Sequence, residues 1–277
     1  MSLSIASTVE LSNGVAMPLL GLGTFMITDE SQIHDVVLTA VETGYRLIDT
    51  ASIYKNEEAI GRALRDSGIA REEIFLTTKC WNDEQGYKAA REAFERSCDR
   101  LNVGYVDLYL VHWPAAEHYA GTWQALEELY ADGRVRAIGV SNFLSAHLEE
   151  LAKVANIAPM LNQVEFHPRL QEPELVKYCK SHNVQIQAWA PLMRGAIGEV
   201  TEILQIARNH GKTPAQVTLR WLLQRGIGTI PKSVHSSRIV ENAAIFDFEL
   251  AEAECALIDS LDSGFRTGRH PDSWGLT

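Results

Sequence analysis

The stretch RLIDTASIYKNEEAIG (46–61) opens as a buried strand with Leu47 and Ile48, ends that strand on a carboxylate, Asp49, and reaches a phenol, Tyr54, just before a run of helical character. An apolar strand that hands over to a helix through a short polar loop is half of a βαβ unit, and the chain repeats it. A hairpin is predicted first, in TVELSNGVAMP (8–18), turned by Asn13-Gly14. Short apolar runs then follow at 19–25, 46–50, 73–79, 106–112, 135–142, 160–166, 184–191 and 227–233. Between them lie segments of helical period: 29–44, 56–68, 86–102, 121–133, 145–156, 171–183, 199–225 in two pieces, and 236–246. In the first of these, Ile33, Val36, Val37, Ala40 and Val41 share one face. Gly44, Gly68, Gly133 and Gly226 stand where such helices should stop. Residues 251–263 read as an additional helix and 264–277 as a tail.

Strands that are apolar on both faces and joined by helices form a parallel sheet. Eight such units are the count for an α/β fold of one kind, the closed (β/α)8 or TIM barrel, here with an N-terminal β-hairpin and extra helices. That barrel uses about 250 residues as one domain, so residues 1–277 are expected to form a single domain. The rival is an open doubly wound sheet, which carries a glycine-rich turn after its first strand. Gly21 and Gly23 supply only G-x-G, without the third glycine at its offset.

Composition narrows the function. Hydrophobic residues make up 46% and charged ones 22%, which is globular and leaves no long stretch to disorder. The net charge of −11 argues against nucleic acid or an anionic membrane as partner, since either needs a basic face, but it leaves room for one local basic pocket. Cys80, Cys98, Cys179 and Cys255 are widely spaced, without ligand spacing, as expected of reduced thiols in a cytoplasmic protein. The N-terminus lacks the basic start and apolar core of a signal peptide, and no apolar run approaches the length of a membrane span.

Most apolar runs end in polar or ionisable residues: Asp49, Lys79, His112, Ser141–Asn142, Gln163 to His167, Trp189 and Lys232. In a (β/α)8 barrel the C-terminal strand ends share one rim, where active sites form. Asp49, Tyr54, Lys79 and His112 make chemical sense together there. A lysine ammonium close to Tyr54 is expected to lower the phenol's pKa, an aspartate keeps the lysine charged and placed, and a histidine hydrogen-bonds a substrate oxygen. Such a set can protonate an oxygen on which negative charge develops, as in carbonyl reduction. Side chains cannot supply hydride, so a nicotinamide or flavin is implied.

These residues sit in motifs, GYRLIDTASIYKNEEAIG, VDLYLVHWP, IGVSNF, NQVEFHP and IPKSVHSSRIVEN, that resemble the aldo-keto reductases from about residue 8 to 270, most closely the microbial 2,5-diketogluconate reductase and prostaglandin F synthase-like branch. The resemblance implies that Tyr54 is the general acid, tuned by Lys79 and Asp49, and that His112 orients the carbonyl. It implies NADPH bound without a Rossmann fold. Ser141, Asn142 and Gln163 would bond the nicotinamide carboxamide and Trp189 would stack on its ring, with Thr24, Asp49 and Leu192 also on the cofactor's side. Lys232, Ser233 and Arg238 would take the 2′-phosphate, with Glu241 and Asn242 near the adenine. NADPH is therefore preferred, and NADH allowed as a weaker alternative. The branch often has serine where this chain has Ala190, so one pyrophosphate contact is expected to be missing and Arg194 to compensate. Phe25, Trp81 and Trp113, beside Tyr54 and His112, would line an open pocket for aldehydes, α-keto compounds or diketo sugars, given the short loop 114–121 and the short tail.

Each assignment has a plainer counterpart. Ser141–Asn142 can cap a helix, Trp189 and the other aromatics can be ordinary packing, and 230–242 can be a solvated basic loop. At the level of function, a metal-dependent barrel hydrolase would also gather His112, His167 and Asp49, but no H-x-H occurs and no metal is expected. A Schiff-base lysine would need its charge suppressed, which Asp49 opposes. An NADPH-binding regulatory barrel remains as the non-enzymatic reading. A monomer acting on a small carbonyl compound is expected.

Overall fold

The computed structural model describes residues 3–115 and 118–274. The hairpin forms as expected: β1 (Thr8–Glu10) and β2 (Ala16–Pro18) pair antiparallel, with Val9 opposite Met17, and Gly14 turns between them at a φ of 85°. That φ is left-handed, a conformation glycine adopts without strain. Met17 is fully buried, and the Gln187 side-chain amide donates to its sulfur at 3.7 Å.

All eight apolar runs contain a strand of one parallel sheet. These are β3 (Leu22–Gly23), β4 (Leu47–Asp49), β5 (Phe75–Cys80), β6 (Val106–Val111), β7 (Val135–Ser141), β8 (Leu161–Glu165), β9 (Gln185–Trp189) and β10 (Gly228–Thr229). Neighbours in the sheet are neighbours in sequence throughout. The sheet closes on itself through parallel bridges from Leu20 to Thr229 and from Gly23 to Lys232. At that seam Thr229 N donates to Leu19 O at 2.7 Å, Gly21 N to Thr229 O at 2.9 Å and Gly23 N to Pro231 O at 3.2 Å. The doubly wound alternative is therefore excluded, and the G-x-G has a steric explanation. A Cβ on Gly21 would meet the Leu47 side chain at 2.3 Å, and one on Gly23 would meet Ile230 O at 2.6 Å. These glycines let the first strand approach its neighbours and close the barrel.

The helices are α1 (Glu30–Thr43), α2 (Glu57–Asp66), α3 (Tyr87–Leu101), α4 (Tyr119–Ala131), α5 (Ser145–Ala152), α6 (Pro173–Ser181), α7 (Thr201–His210), α8 (Pro214–Gln224), α9 (Ser236–Ala243), α10 (Glu252–Asp259) and α11 (Pro271–Trp274). α1 shows the logic. The Asp29 carboxylate caps its start by accepting from Gln32 N, and Ile33, Val36, Val37 and Ala40 bury one face. Gly44 at φ 105° then ends it, its N–H donating to Ala40 O and Val41 O.

Several boundaries differ from expectation. β3 and β10 are two residues each because the seam is held by isolated bridges rather than a long ladder. α5 stops at Ala152 and α9 at Ala243, short of the 156 and 246 that periodicity predicts. The tail holds a short helix, α11, where none was expected.

Candidate active site

The residues that end the strands meet at one mouth, because every parallel strand delivers its C-terminus to the same rim. Asp49 closes β4 and Lys79 lies in β5; both are buried. Lys79 Nζ donates to Asp49 Oδ1 at 2.5 Å and to Thr50 O at 2.9 Å. Burial pushes the Asp49 carboxyl up and the Lys79 ammonium down, while each partner's charge opposes the other's shift. The second carboxylate oxygen, Oδ2, accepts from Gln163 Nε2 at 2.7 Å, and the same nitrogen donates to Gln187 Oε1 at 2.8 Å. Both amide hydrogens of Gln163 are thus engaged, which leaves its Oε1 as an acceptor.

Tyr54 ends a short 3-10 turn, Ser52–Tyr54, that follows β4. Its ring centroid lies 5.2 Å from Lys79 Nζ, 5.7 Å from the His112 ring and 5.1 Å from the Phe25 ring. Its phenol departs from expectation. Burial, and after it the Asp49 charge, raise it well above its ordinary 10.0 rather than lowering it. Lys79 does not reverse this because its ammonium is bonded to Asp49 and Thr50 O. At neutral pH Tyr54 therefore carries its proton.

His112 follows β6 and is buried, with Nδ1 lacking a hydrogen-bond partner among the described residues. Burial, then the Lys79 charge, lower its pKa well below 6.5, so the imidazole is neutral. The Trp81 ring packs edge-on against it at 4.9 Å. Phe25 is half exposed, and Met26 and Ile53 add exposed apolar surface close to it in sequence and to Tyr54, an apolar rim that strand-end reasoning missed. Trp113 is nearly buried, and its ring meets Trp274 of α11 at 6.2 Å. Among the described residues its ring pairs with Trp274, and the rings of Phe25, Tyr54, His112 and Trp81 pair with one another. The loop 114–121 lies partly outside the described residues, which omit 116–117.

The other expected residues lie at or beyond strand ends, with Arg238, Glu241 and Asn242 on α9. Thr24 Oγ1 donates to Asp49 O at 2.8 Å. Ser141 Oγ donates to Gln163 O at 2.8 Å. Asn142, at φ 64°, donates from Nδ2 to His112 O at 3.0 Å and accepts at Oδ1 from Trp189 Nε1 at 2.8 Å. Neither Ser141 nor Asn142 caps α5, which starts after Leu144. The loop beyond β9 is strained: Ala190, Met193 and Arg194 take φ values of 48°, 51° and 54°. Non-glycine residues hold such angles at a cost of about 1–3 kcal/mol each, and they gather at functional sites. Leu192 is half-buried and Arg194 exposed in this loop. Lys232 is exposed and bridges to Gly23, Ser233 is buried, and Arg238 lies exposed on α9. None of Arg194, Lys232 or Arg238 forms an ion pair among the described residues. Glu241 accepts from Thr213 Oγ1 at 2.7 Å, and Asn242 is buried.

Two residues that organise the mouth escaped sequence reasoning. Asn56 precedes α2 and makes no cap bond. It accepts instead from Thr50 Oγ1 and donates to Thr24 O and Ile27 O, lacing the loops after β3 and β4. Glu84 accepts from Ser52 Oγ at 2.5 Å and Trp81 N at 3.3 Å, joining the Tyr54 turn to the Trp81 loop. The bonds from Asn56 to Thr24 O and Ile27 O and from Ser52 to Glu84 have no local signature, because each joins loops from different βα units.

Comparison with known proteins gives the same reading. The family model described as "Aldo/keto reductase family" matches residues 19–263. A glyoxal reductase of Bacillus subtilis (strain 168) is 53% identical over 272 residues, covering 98% of this chain and 99% of its own. The solved structure of an aldo-keto reductase from a Medee basin deep-sea metagenome library superposes with a TM-score of 0.94 at 46% identity, covering 96% of this chain and 99% of that one. A Gox0644 variant crystallised in complex with NADPH superposes with a TM-score of 0.92 at 42% identity, covering 96% and 98%. With the barrel closed, its rim carrying the acid, phenol, lysine and histidine, and the match spanning nearly the whole length, this chain belongs to the aldo/keto reductase family.

Proposed function

We propose that the chain reduces small carbonyl compounds to alcohols with NADPH, Tyr54 acting as general acid. The observation that carries this is the Tyr54 ring set 5.2 Å from the ammonium of the buried Lys79–Asp49 pair and 5.7 Å from the His112 ring. The rim suits the cofactor. Gln163 Oε1 is left to accept from a carboxamide N–H, Trp189 is held by its own N–H, and Lys232 and Arg238 are cations without anionic partners among the described residues. When bound, NADPH supplies the hydride that no side chain can.

The chain's own residues do the rest. The neutral His112 donates a hydrogen bond to the substrate oxygen and holds it toward Tyr54. As charge grows on that oxygen, the Tyr54 hydroxyl delivers its proton. The phenolate that forms lies near Lys79, whose positive charge stabilises it; Asp49 holds the lysine in place. Lys79 therefore acts on the transition state, where its charge gains a partner, rather than on the resting phenol. Lys232 and Arg238 favour a 2′-phosphate, and hence NADPH over NADH. Phe25, Trp81 and the Met26–Ile53 rim receive the rest of the substrate.

The glyoxal reductase relative supports α-oxoaldehydes as the first substrates to try. The test follows NADPH oxidation with glyoxal and a panel of aldehydes and keto sugars, for the parent chain and Tyr54→Phe. Turnover lost in the variant, with NADPH still bound, supports the reading; comparable turnover in both sinks it.

A further inference from the structure

The chemistry proposed above gives no task to a buried cluster at the end of β8. Glu165 ends β8 directly beside Trp189, its register partner at the end of β9. It is buried, yet its carboxylate accepts from Thr267 N at 2.6 Å, Thr267 Oγ1 at 2.5 Å, Gly268 N at 3.1 Å on both oxygens, and His167 Nε2 at 3.2 Å. Burial alone would raise its pKa, but these bonds outweigh burial and hold the carboxyl below its ordinary value. A buried carboxylate so surrounded by donors is a docking point for the segment that provides them.

That segment is the chain leaving α10. Ser263 N and Phe265 N donate to Arg169 O at 3.2 and 3.0 Å, and Arg266 pairs with Glu172. At Gly268 its backbone presses on the indole of Trp189. A Cβ there would lie 2.4 Å from Trp189 Cη2 and 3.2 Å from Cζ3. The opposite edge of the same indole is held by the Nε1 bond to Asn142 Oδ1. Trp189 is thus fixed at both ends, by Asn142 on its N–H edge and by the Glu165-docked strap on its six-membered ring.

We infer that Glu165 is a positioning residue for cofactor binding: it docks the 263–268 strap through Thr267 and Gly268 so that the strap sets the plane of Trp189. The inference rests on the reading of Trp189 as the nicotinamide platform. It links the cofactor site to a segment about a hundred residues away in sequence, and it gives Gly268 a specific reason to lack a side chain. Gly268 is not among the glycines with positive φ, so the need is for space rather than for backbone freedom.

The test is a set of NADPH affinities by titration calorimetry on the full chain, with melting temperatures alongside. The variants are Glu165→Gln, Gly268→Ala, Trp189→Ala, and each of the first two combined with Trp189→Ala. Gly268→Ala keeps an allowed backbone and pushes first on the indole, at 2.4 Å, and next on Glu165 Oε2, at 3.0 Å, so it serves if Glu165→Gln folds poorly. The single variants should each weaken NADPH about tenfold, the size of coupling seen between residues in contact. In the Trp189→Ala background, where no ring remains to position, neither should add a further loss. Wild-type affinity in Gly268→Ala, or losses that persist undiminished without the indole, would overturn the positioning role while leaving the stacking assignment intact. Unchanged affinity in Trp189→Ala alone would overturn the stacking assignment, and the inference with it.

Discussion

Two charged regions of the same rim are built in opposite ways. Around Asp49 and Lys79 the charges are fully buried and their bonds are supplied from within the chain: lysine to aspartate, lysine to Thr50 O, aspartate to Gln163, Gln163 to Gln187. Around Lys232 and Arg238 the charges are exposed and have no anionic partner among the described residues. Partial burial still lowers the Lys232 ammonium somewhat. The first region is organised before any ligand arrives, as electrostatic catalysis requires, because a group that must reorient during the reaction loses its advantage. The second is a set of open donors for an anion to complete.

The contrast can be broken most severely at Tyr54, which sits against the closed cluster. Tyr54→Phe removes the proton donor and little else, so turnover should fall about 10²–10⁴-fold, the usual worth of a positioned acid. NADPH affinity should stay near that of the parent, and stopped-flow binding alongside steady-state rates separates the two.

Lys79→Met tests closure itself. It leaves Asp49 buried with Gln163 as its remaining side-chain partner, and breaking a buried pair in this way costs about 3–5 kcal/mol. Denaturant unfolding should show the loss. A variant as stable as the parent would mean that the pair is not the closed unit described here.

The open region should respond differently. Lys232→Ala and Arg238→Ala should each weaken NADPH about 10–100-fold, the worth of a hydrogen bond to a charged group, with NADH affinity and melting temperature almost unmoved. Equal losses for both cofactors would remove the 2′-phosphate assignment.

The smallest effect concerns pH. His112 keeps a pKa well below 6.5 in the folded chain, whereas the unfolded chain binds a proton near that value. Below pH 6.5 the unfolded state therefore holds the extra proton. Its share of stability is complete above 6.5 and is lost as pH falls toward the folded pKa, by at most about 1.4 kcal/mol per pH unit. His112→Gln should flatten the stability profile between pH 6.5 and 5 by that amount, read from urea midpoints.

How much of this was readable in advance follows from the range of each interaction. The strands were legible because parallel strands buried on both faces leave unbroken apolar runs. The strand-end residues were legible because the barrel sends every C-terminus to one rim. The direction of the Tyr54 shift was not, since it depends on how deeply the phenol is buried and on which groups hold the lysine. The role of Asn56 was not legible either, since its amide donates to the loop after β3, 32 and 29 residues away. The Glu165 strap left no pattern at all, because partners 102 and 103 residues apart share no periodicity.

The sequence alone determined the number and order of the βα units and which polar side chains arrive at the mouth, since both follow from local apolar patterning repeated along the chain. Only the tertiary structure decided which of those groups bond one another, which way their proton affinities move, and how the tail is tied to Trp189. Those outcomes are set by distance and by exclusion of water, and neither exists until the barrel has closed.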